Sequence, residues 1–247
     1  MAQRQRSLAD APAPRRPIRS YVRRQGRMTH AQRRALATYW CRYGIDDGEV
    51  QEQLDLDRVF GRRAPRYVEI GFGMGEALVE MAQTHPERDY LGVDVYDPGI
   101  GRLLAQLAEG ALQNVRVIRG DAVDVLERRI PHASLDAVLV FFPDPWPKKR
   151  HRKRRLVQPS FAVLIAAKLK PGGRMHLATD WDDYAEHMLT VLETEPRLVN
   201  VAGRGRFLPG RGERPRSRFE RRGERLGHPV RDLLFEKVAP GPGTPSS

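Results

Sequence analysis

Cysteine is all but missing from this 247-residue chain, with Cys41 standing alone. That excludes a disulfide within the chain and a zinc site built on cysteine. Long apolar runs are missing as well. No stretch approaches the roughly 18 consecutive apolar residues of a membrane span. The opening MAQRQRSLADAPAPRRPIRS has no apolar core of a secretory signal, so the cytoplasm is the expected compartment. The seven histidines show no HxxxH or similar spacing, and no metal site is expected. What the chain does have is length. A domain of this size buries roughly 70–75 % of its unfolded surface and needs no covalent staples.

Acids are scarce in three segments. Residues 1–34 hold ten Arg against one Asp, residues 148–155 (KKRHRKRR) hold seven Lys or Arg and no acid, and residues 203–231 hold ten Arg against three Glu. Their charges of +9, +7 and +7 exceed the whole-chain +12, so the rest of the chain carries −11. An acidic body with three basic segments suits a polyanion, because clustered Arg and Lys gain affinity from phosphate neutralisation and counterion release. Solvated basic loops or an anionic membrane surface would show the same composition.

Residues 1–35 are Arg-, Ala- and Pro-rich without apolar periodicity and read as a disordered basic arm; 239–247 (APGPGTPSS) read as a disordered tail. Between them, 36–238 form the expected domain. Strands are predicted at Tyr67–Ile70, Tyr90–Val95, Asn114–Arg119, Ala137–Phe142, Arg174–Ala178 and Leu233–Val238. Helical patterns lie between them, and Lys170–Gly173 reads as a turn. This alternation predicts a doubly wound, mostly parallel sheet with helices on both faces. Right-handed crossovers then bring the loops after the parallel strands to one rim.

The first such loop is Glu69-Ile70-Gly71-Phe72-Gly73-Met74-Gly75. A dinucleotide fingerprint would place its third glycine at 76, where Glu stands. Glu69 and Glu76 would repel a pyrophosphate, but a ligand with a cationic amino-acid end suits them, and S-adenosylmethionine is such a ligand. Asp94 stands 25 residues after Glu69, near the next strand's end, where a carboxylate can accept from both ribose hydroxyls. NAD shares that need, so Asp94 alone does not discriminate. Asp121, after the third strand, fits either a contact to the adenine amino group or a helix N-cap. The loop after the fourth strand, Phe141-Phe142-Pro143-Asp144-Pro145-Trp146-Pro147, fixes a carboxylate between two prolines. Beside it Trp146 offers an aromatic face for a base, and the basic run follows at once. The bland alternative is a rigid turn around a core Trp, or a polyproline ligand for a partner domain; the cationic run supports RNA better.

The segments YVEIGFGMGEAL, LGVDVYDPGIGRLL, FFPDPWPKKRHRKRRLVQPSF, HLATDWDDYAEHML and RPRSRFERRGERLGH resemble the bacterial tRNA (guanine-N7-)-methyltransferases, from about Arg66 to Lys237. The resemblance implies a class I S-adenosylmethionine-dependent methyltransferase fold with a seven-stranded sheet. It implies methylation of a guanosine in the tRNA variable loop (position 46 in tRNA numbering). Glu69, Asp94, Asp121 and Asp144 match cofactor-contacting positions, with Gly71, Gly73 and Gly75 in the loop, and Asp144 also matches the catalytic position. Lys148, Asp180 and Ser217, Arg218, Phe219 and Glu220 match substrate contacts, and Arg150, His151, Arg152, Lys153, Arg154 and Arg155 match an RNA-contact segment. This chain departs from the family's common pattern at Asp94 for Glu, Tyr96 for His and Ser217-Arg218 for Thr-Lys. The implied partner is tRNA, with the protein a monomer or homodimer. Two rival readings are a base amino-group RNA methyltransferase and a non-catalytic RNA-binding protein on the same fold.

Overall fold

The structure is a computed structural model and describes residues 26–46, 53–216, 220 and 229–239. The expected basic arm up to residue 25, Ser217, Arg218 and Phe219, and all of the expected tail except Ala239 lie outside the described residues. In chain order the elements are α1 (His30–Tyr43), β1 (Gly44–Ile45), α2 (Leu56–Phe60), β2 (Arg66–Ile70), α3 (Glu76–Thr84), β3 (Asp89–Asp94), α4 (Asp97–Glu109), β4 (Val115–Arg119), α5 (Ala122–Arg128), β5 (Leu135–Phe141), α6 (Pro159–Lys168), β6 (Leu169–Thr179), α7 (Asp182–Leu192), β7 (Leu198–Asn200) and β8 (Arg231–Lys237).

Helix α1 begins inside the segment whose composition suggests a disordered arm. Thr29 opens it with a reciprocal capping box: its hydroxyl accepts from the Gln32 N–H at 3.2 Å, and its own N–H donates to the Gln32 side chain at 2.8 Å. Tertiary packing holds the rest. A Cβ on Gly101 of α4 would lie 2.6 Å from the Gln32 carbonyl oxygen, so a glycine permits that close approach. Tyr43, at the end of α1, is buried and donates its hydroxyl to the Leu107 carbonyl at 3.1 Å.

The strands form one sheet in the order β1-β4-β3-β2-β5-β6-β8-β7. All neighbours from β1 to β6 are parallel, whereas β8 runs antiparallel to both β6 and β7. The sheet therefore has eight strands, not seven. The additional pairing is that of β1, whose two residues extend the β4 edge. Strand β7 is three residues long, too short for a period-two signal to stand out. The Lys170–Gly173 turn is a bulge within β6: opposite β5, the partners jump from Leu135↔Leu169 to Ala137↔Arg174, and Gly172 takes a left-handed φ of 78°.

Two apolar clusters sandwich the sheet. One joins α5, α6 and α7 to its first face through residues such as Leu126, Phe161, Ile165 and Met188. The other joins α1, α3 and α4 to the opposite face through Tyr43, Leu78, Leu103 and Leu107. Strand β3 is buried along its whole length, and β5 carries the continuous apolar run Ala137–Phe141, as strands covered on both faces do. From β2 the chain winds outward through β3 and β4, then returns to pair β5 on the other side of β2. Strand order reverses there, and the crevice beyond the carboxyl ends of β2 and β5 is where such sheets bind ligands.

Candidate active site

Five acids stand at this rim, one at or just beyond the end of each of five adjacent strands: Asp121 (β4), Asp94 (β3), Glu69 (β2), Asp144 (β5) and Asp180 (β6). The chain order hides that adjacency and the sheet restores it. Glu69, the penultimate residue of β2, lies between Gly92 and Leu139 in the register. Its side chain is buried, and among the described residues its Oε2 has no hydrogen-bond partner. Burial, and secondarily the negative charge of Asp94, push its pKa up to about 8. A buried carboxyl oxygen without a donor costs about 1–3 kcal/mol. It persists where a ligand's N–H groups complete it.

The glycine loop follows at once. Gly71 and Gly73 have φ of 71° and 58°, and a Cβ on either would project into open space. The conformation requires glycine, and the space beside it is left clear for another molecule. Gly75, at φ 77°, is the N-cap of α3. Asp94 braces this loop from β3. Its Oδ2 accepts from the Gly73 N–H at 2.9 Å, and its Oδ1 accepts from the Val95 and Tyr96 N–H groups at 2.7 and 2.9 Å. Burial raises its pKa, opposed by these three donors. A carboxylate offers about four acceptor sites; the three amides give Asp94 a structural duty and leave acceptor capacity on Oδ2. Asp121 caps α5, its Oδ1 accepting from the Val123 N–H at 2.9 Å, so it does serve as an N-cap; the bond falls on one carboxylate oxygen and is compatible with a contact to an adenine. Helix α4 supplies a contact that no sequence motif marks. A Cβ on Gly99 would fall 1.9 Å from the Gly73 carbonyl oxygen, so the start of α4 presses directly on the loop. The only sequence signal was a glycine in a helix's first turn.

The loop after β5 is held in an unusual shape. Phe142 and Trp146, the residues flanking Pro143-Asp144-Pro145, both take left-handed φ, 53° and 45°. That conformation is costly for bulky side chains and clusters at functional sites. The Phe142 N–H donates to the Ala178 carbonyl at 2.8 Å, which ties this loop to β6 beside Asp180. Asp144 and Asp180 are both exposed. Trp146 does not present two bare faces: the Arg154 guanidinium lies 4.1 Å from its ring centroid, and the His151 ring meets it edge-on at 5.9 Å.

Residues Lys149–Arg154 form a 3₁₀ helix. Lys148, Lys149, Arg150, Arg152 and Lys153 are exposed, while His151 and Arg154 are half-buried. The pKa of His151 is lowered, first by desolvation and then by the Arg150, Lys148, Arg154 and Lys153 charges around it. Arg155 departs from the expected RNA-contact run. It turns inward, is 2 % exposed, donates from Nε to the Pro145 carbonyl at 2.9 Å and pairs with Asp183.

Glu220 likewise differs from a free substrate contact. It is buried, and both its carboxylate oxygens accept from Arg214 at 2.7 and 2.8 Å. Arg214 also binds both oxygens of Asp232, at 2.8 and 3.0 Å, and Asp232 meets His176 Nε2 at 2.9 Å. The Arg214 guanidinium lies 5.3 Å from the Phe142 ring centroid. This buried network joins β6, β8, Arg214 and Glu220 beside Phe142, where the Asp144 loop begins. Sequence reading missed it, because no spacing rule links residues 176, 214 and 232.

A family model described as "Putative methyltransferase" matches residues 63–233. The tRNA (guanine-N(7)-)-methyltransferase of Alkalilimnicola ehrlichii is 59% identical over 229 residues, covering 93% of this chain and 96% of the relative. The enzyme of that name from Stutzerimonas stutzeri is 55% identical, covering 92% and 94%. This chain belongs to the tRNA (guanine-N(7)-)-methyltransferase family. Solved structures agree on the fold. The 16S rRNA methyltransferase KamB superposes with a TM-score of 0.53 at 17% identity, over 79% of this chain and 99% of that one. The aminoglycoside resistance methyltransferase NpmB1 gives 0.50 at 17% identity, over 74% and 92%.

The donor implied for this family, S-adenosylmethionine, fits the residues present. Glu69 offers a buried, incompletely bonded carboxyl to its ammonium end, and the clear space beside Gly71 and Gly73 admits its body.

Proposed function

We propose that the protein transfers a methyl group from S-adenosylmethionine to N7 of a guanosine in the variable loop of tRNA, forming 7-methylguanosine, in the cytoplasm. One structural observation carries the reading beside family membership. Glu69, a buried carboxyl whose Oε2 has no hydrogen-bond partner among the described residues, lies on β2 paired with β5, the strand that runs into the strained Asp144 turn, and an exposed cationic helix leads away from that turn. A cationic donor and a polyanionic acceptor are thereby served at adjoining strand ends.

The donor, when bound, supplies a methyl group on a positively charged sulfur. Guanine N7 carries an in-plane lone pair and no proton, so no general base is needed. As the N–C bond forms, the S–C bonding pair returns to sulfur and the purine becomes a cation. The protein's task is alignment, with reacting atoms about 3–3.5 Å apart, and stabilisation of growing positive charge on the base. Asp144 serves both and is the catalytic residue. Asp180, on the adjoining strand, accepts from the Watson–Crick edge of the guanine. Glu69 takes the donor's ammonium, Asp94 holds the loop and keeps acceptor capacity for the ribose, and Asp121 closes the adenine end. Lys148, Arg150, Arg152 and Lys153 bind phosphates. Metal chemistry has no step to perform in this transfer.

The test is incubation of the purified protein with unmodified tRNA transcript and labelled donor, followed by borohydride–aniline cleavage. One cut in the variable loop is expected. Label incorporated without cleavage would point to an exocyclic amino group instead, and no label at all would refute methyl transfer to this RNA.

A further inference from the structure

We propose that Arg155 is a positioning residue that holds the Asp144 turn in its working shape and takes no part in gripping RNA; this rests on the methyl-transfer reading above. Arg155 ends a run of exposed cations, yet its own side chain is only 1 % exposed. A phosphate cannot reach it without unpacking the protein. Its bonds point inward. Nε donates to the carbonyl of Pro145, the residue after Asp144, at 2.9 Å, and Nη2 pairs with Asp183 in the first turn of α7. The guanidinium lies over the Tyr184 ring, 4.8 Å from its centroid. That ring is itself fixed, because its hydroxyl accepts from the Val157 N–H at 3.2 Å.

The turn needs such a clasp. Two prolines fix φ at 143 and 145, but Phe142 and Trp146 are strained on either side, and strained backbone relaxes unless its surroundings over-determine it. From the β6 side, the Phe142 N–H is tied to Ala178. From the α7 side, the only hydrogen bond described to the Pro145 carbonyl comes from Arg155. A buried guanidinium is costly unless its donors are satisfied; here those donors are spent on the turn and on α7. The sidedness separates Arg155 from Arg152, which also reaches Asp183, at 2.9 Å, but remains about half exposed.

The experiment compares Arg155→Ala, Arg155→Lys, Asp183→Asn and Arg152→Ala with the wild type. It measures kcat and KM for unmodified tRNA, tRNA affinity against salt, and donor affinity by calorimetry. An inactive wild type would sink the methyl-transfer reading itself, before any variant is read. A displacement of about 1 Å at the reacting groups costs about 100-fold. Arg155→Ala is therefore expected to lower kcat about 30- to 100-fold, with KM for tRNA and the salt slope within twofold of wild type. Arg155→Lys should recover part of kcat by keeping one donor. Arg152→Ala should show the opposite split, raising KM and flattening the salt slope. Asp183 is exposed enough for Asn to fold there, so Asp183→Asn keeps the test open if Arg155→Ala does not fold; it is expected to lower kcat about three- to tenfold. Weakened tRNA binding with a flattened salt slope and unchanged kcat in Arg155→Ala would overturn the proposal. So would unchanged kcat in Asp183→Asn.

Discussion

Binding of the donor should tighten as pH rises from 6.0 to 7.5, and Glu69 should be the cause. In the free protein its pKa is about 8, raised first by burial and then by Asp94. Near neutrality it therefore holds a proton. A cationic ammonium beside it favours the carboxylate, so binding expels that proton. Affinity then follows the deprotonated fraction of free Glu69. A carboxyl of pKa about 8 is deprotonated about 24-fold more at pH 7.5 than at 6.0. The ligand's own amine, with a pKa of roughly 7.7–8.0, begins to lose its charge at 7.5 and takes back a factor of about 1.5. The dissociation constant should thus fall by about one order of magnitude, or about 1–2 kcal/mol. Calorimetry in two buffers of different ionisation enthalpy reads both the affinity and the proton released. Glu69→Gln should bind more weakly at pH 7.5 and lose the pH slope. Folding stability should move the other way. Below pH 8 the folded state holds a proton on Glu69 that the unfolded chain releases above about 4.5, so this group's contribution is lost as pH rises through that window. At pH 8 the free Glu69→Gln protein should melt higher than wild type. A flat affinity from pH 6.0 to 7.5, or an undiminished slope in Glu69→Gln, would refute the reasoning.

Asp144→Asn should lower kcat at least 100-fold, about 2.7 kcal/mol of transition-state stabilisation, with melting temperature unchanged because the side chain is exposed; near-normal turnover would remove Asp144 from the chemistry. Gly99→Ala should push a methyl group into the Gly73 carbonyl, costing about 1–3 kcal/mol of stability and weakening donor binding, measured by calorimetry, while leaving tRNA affinity in filter binding unchanged. Arg214→Ala should strand two buried carboxylates, Asp232 and Glu220, and cost about 3–5 kcal/mol in urea unfolding. The pKa of Asp232 is lowered; burial opposes this, but the bonds from His176 and Arg214 outweigh it. Its stabilising contribution is therefore complete above the unfolded carboxylate range and is lost as pH falls through its lowered folded value, and an acid-unfolding midpoint unchanged in Arg214→Ala would contradict that role.

Legibility in the sequence followed the range of the interaction. Strand β5 announces itself because a strand buried on both faces holds a continuous apolar run, Ala137–Phe141; β2, β3, β4 and β6 follow from short apolar stretches alternating with helical patterns, and the acids at their ends could be placed on one rim from crossover handedness alone. Helix α1 did not announce itself. Its order comes from Gly101, Leu107 and the capping pair Thr29–Gln32, and composition registers none of these. The burial of Arg155 stayed hidden for a related reason. It is one of seven Lys or Arg within 148–155, and composition cannot tell the one that turns inward. The same holds at Asp94, whose bonds from the Gly73, Val95 and Tyr96 amides no spacing rule marks.

The site must attract a cation and a polyanion to neighbouring strand ends, and opposite charges so close would cancel if both were solvated alike. Burial separates them. Asp94, and Glu69 once binding expels its proton, lie below the surface, where salt screens their attraction for a bound cation little. Lys148, Lys149, Arg150, Arg152 and Lys153 stand in solvent, where screening over about 8 Å still lets a phosphate backbone be drawn in but hides the acids beneath from it. Asp144 is the exception that the chemistry demands. It is an acid left exposed at the boundary between the two fields, where the purine arrives neutral and leaves positively charged. The same division sets the expected salt responses. Raising ionic strength should loosen tRNA steeply and the donor hardly at all, whereas a donor affinity that fell in parallel would mean that Glu69 is not shielded from solvent in the working enzyme.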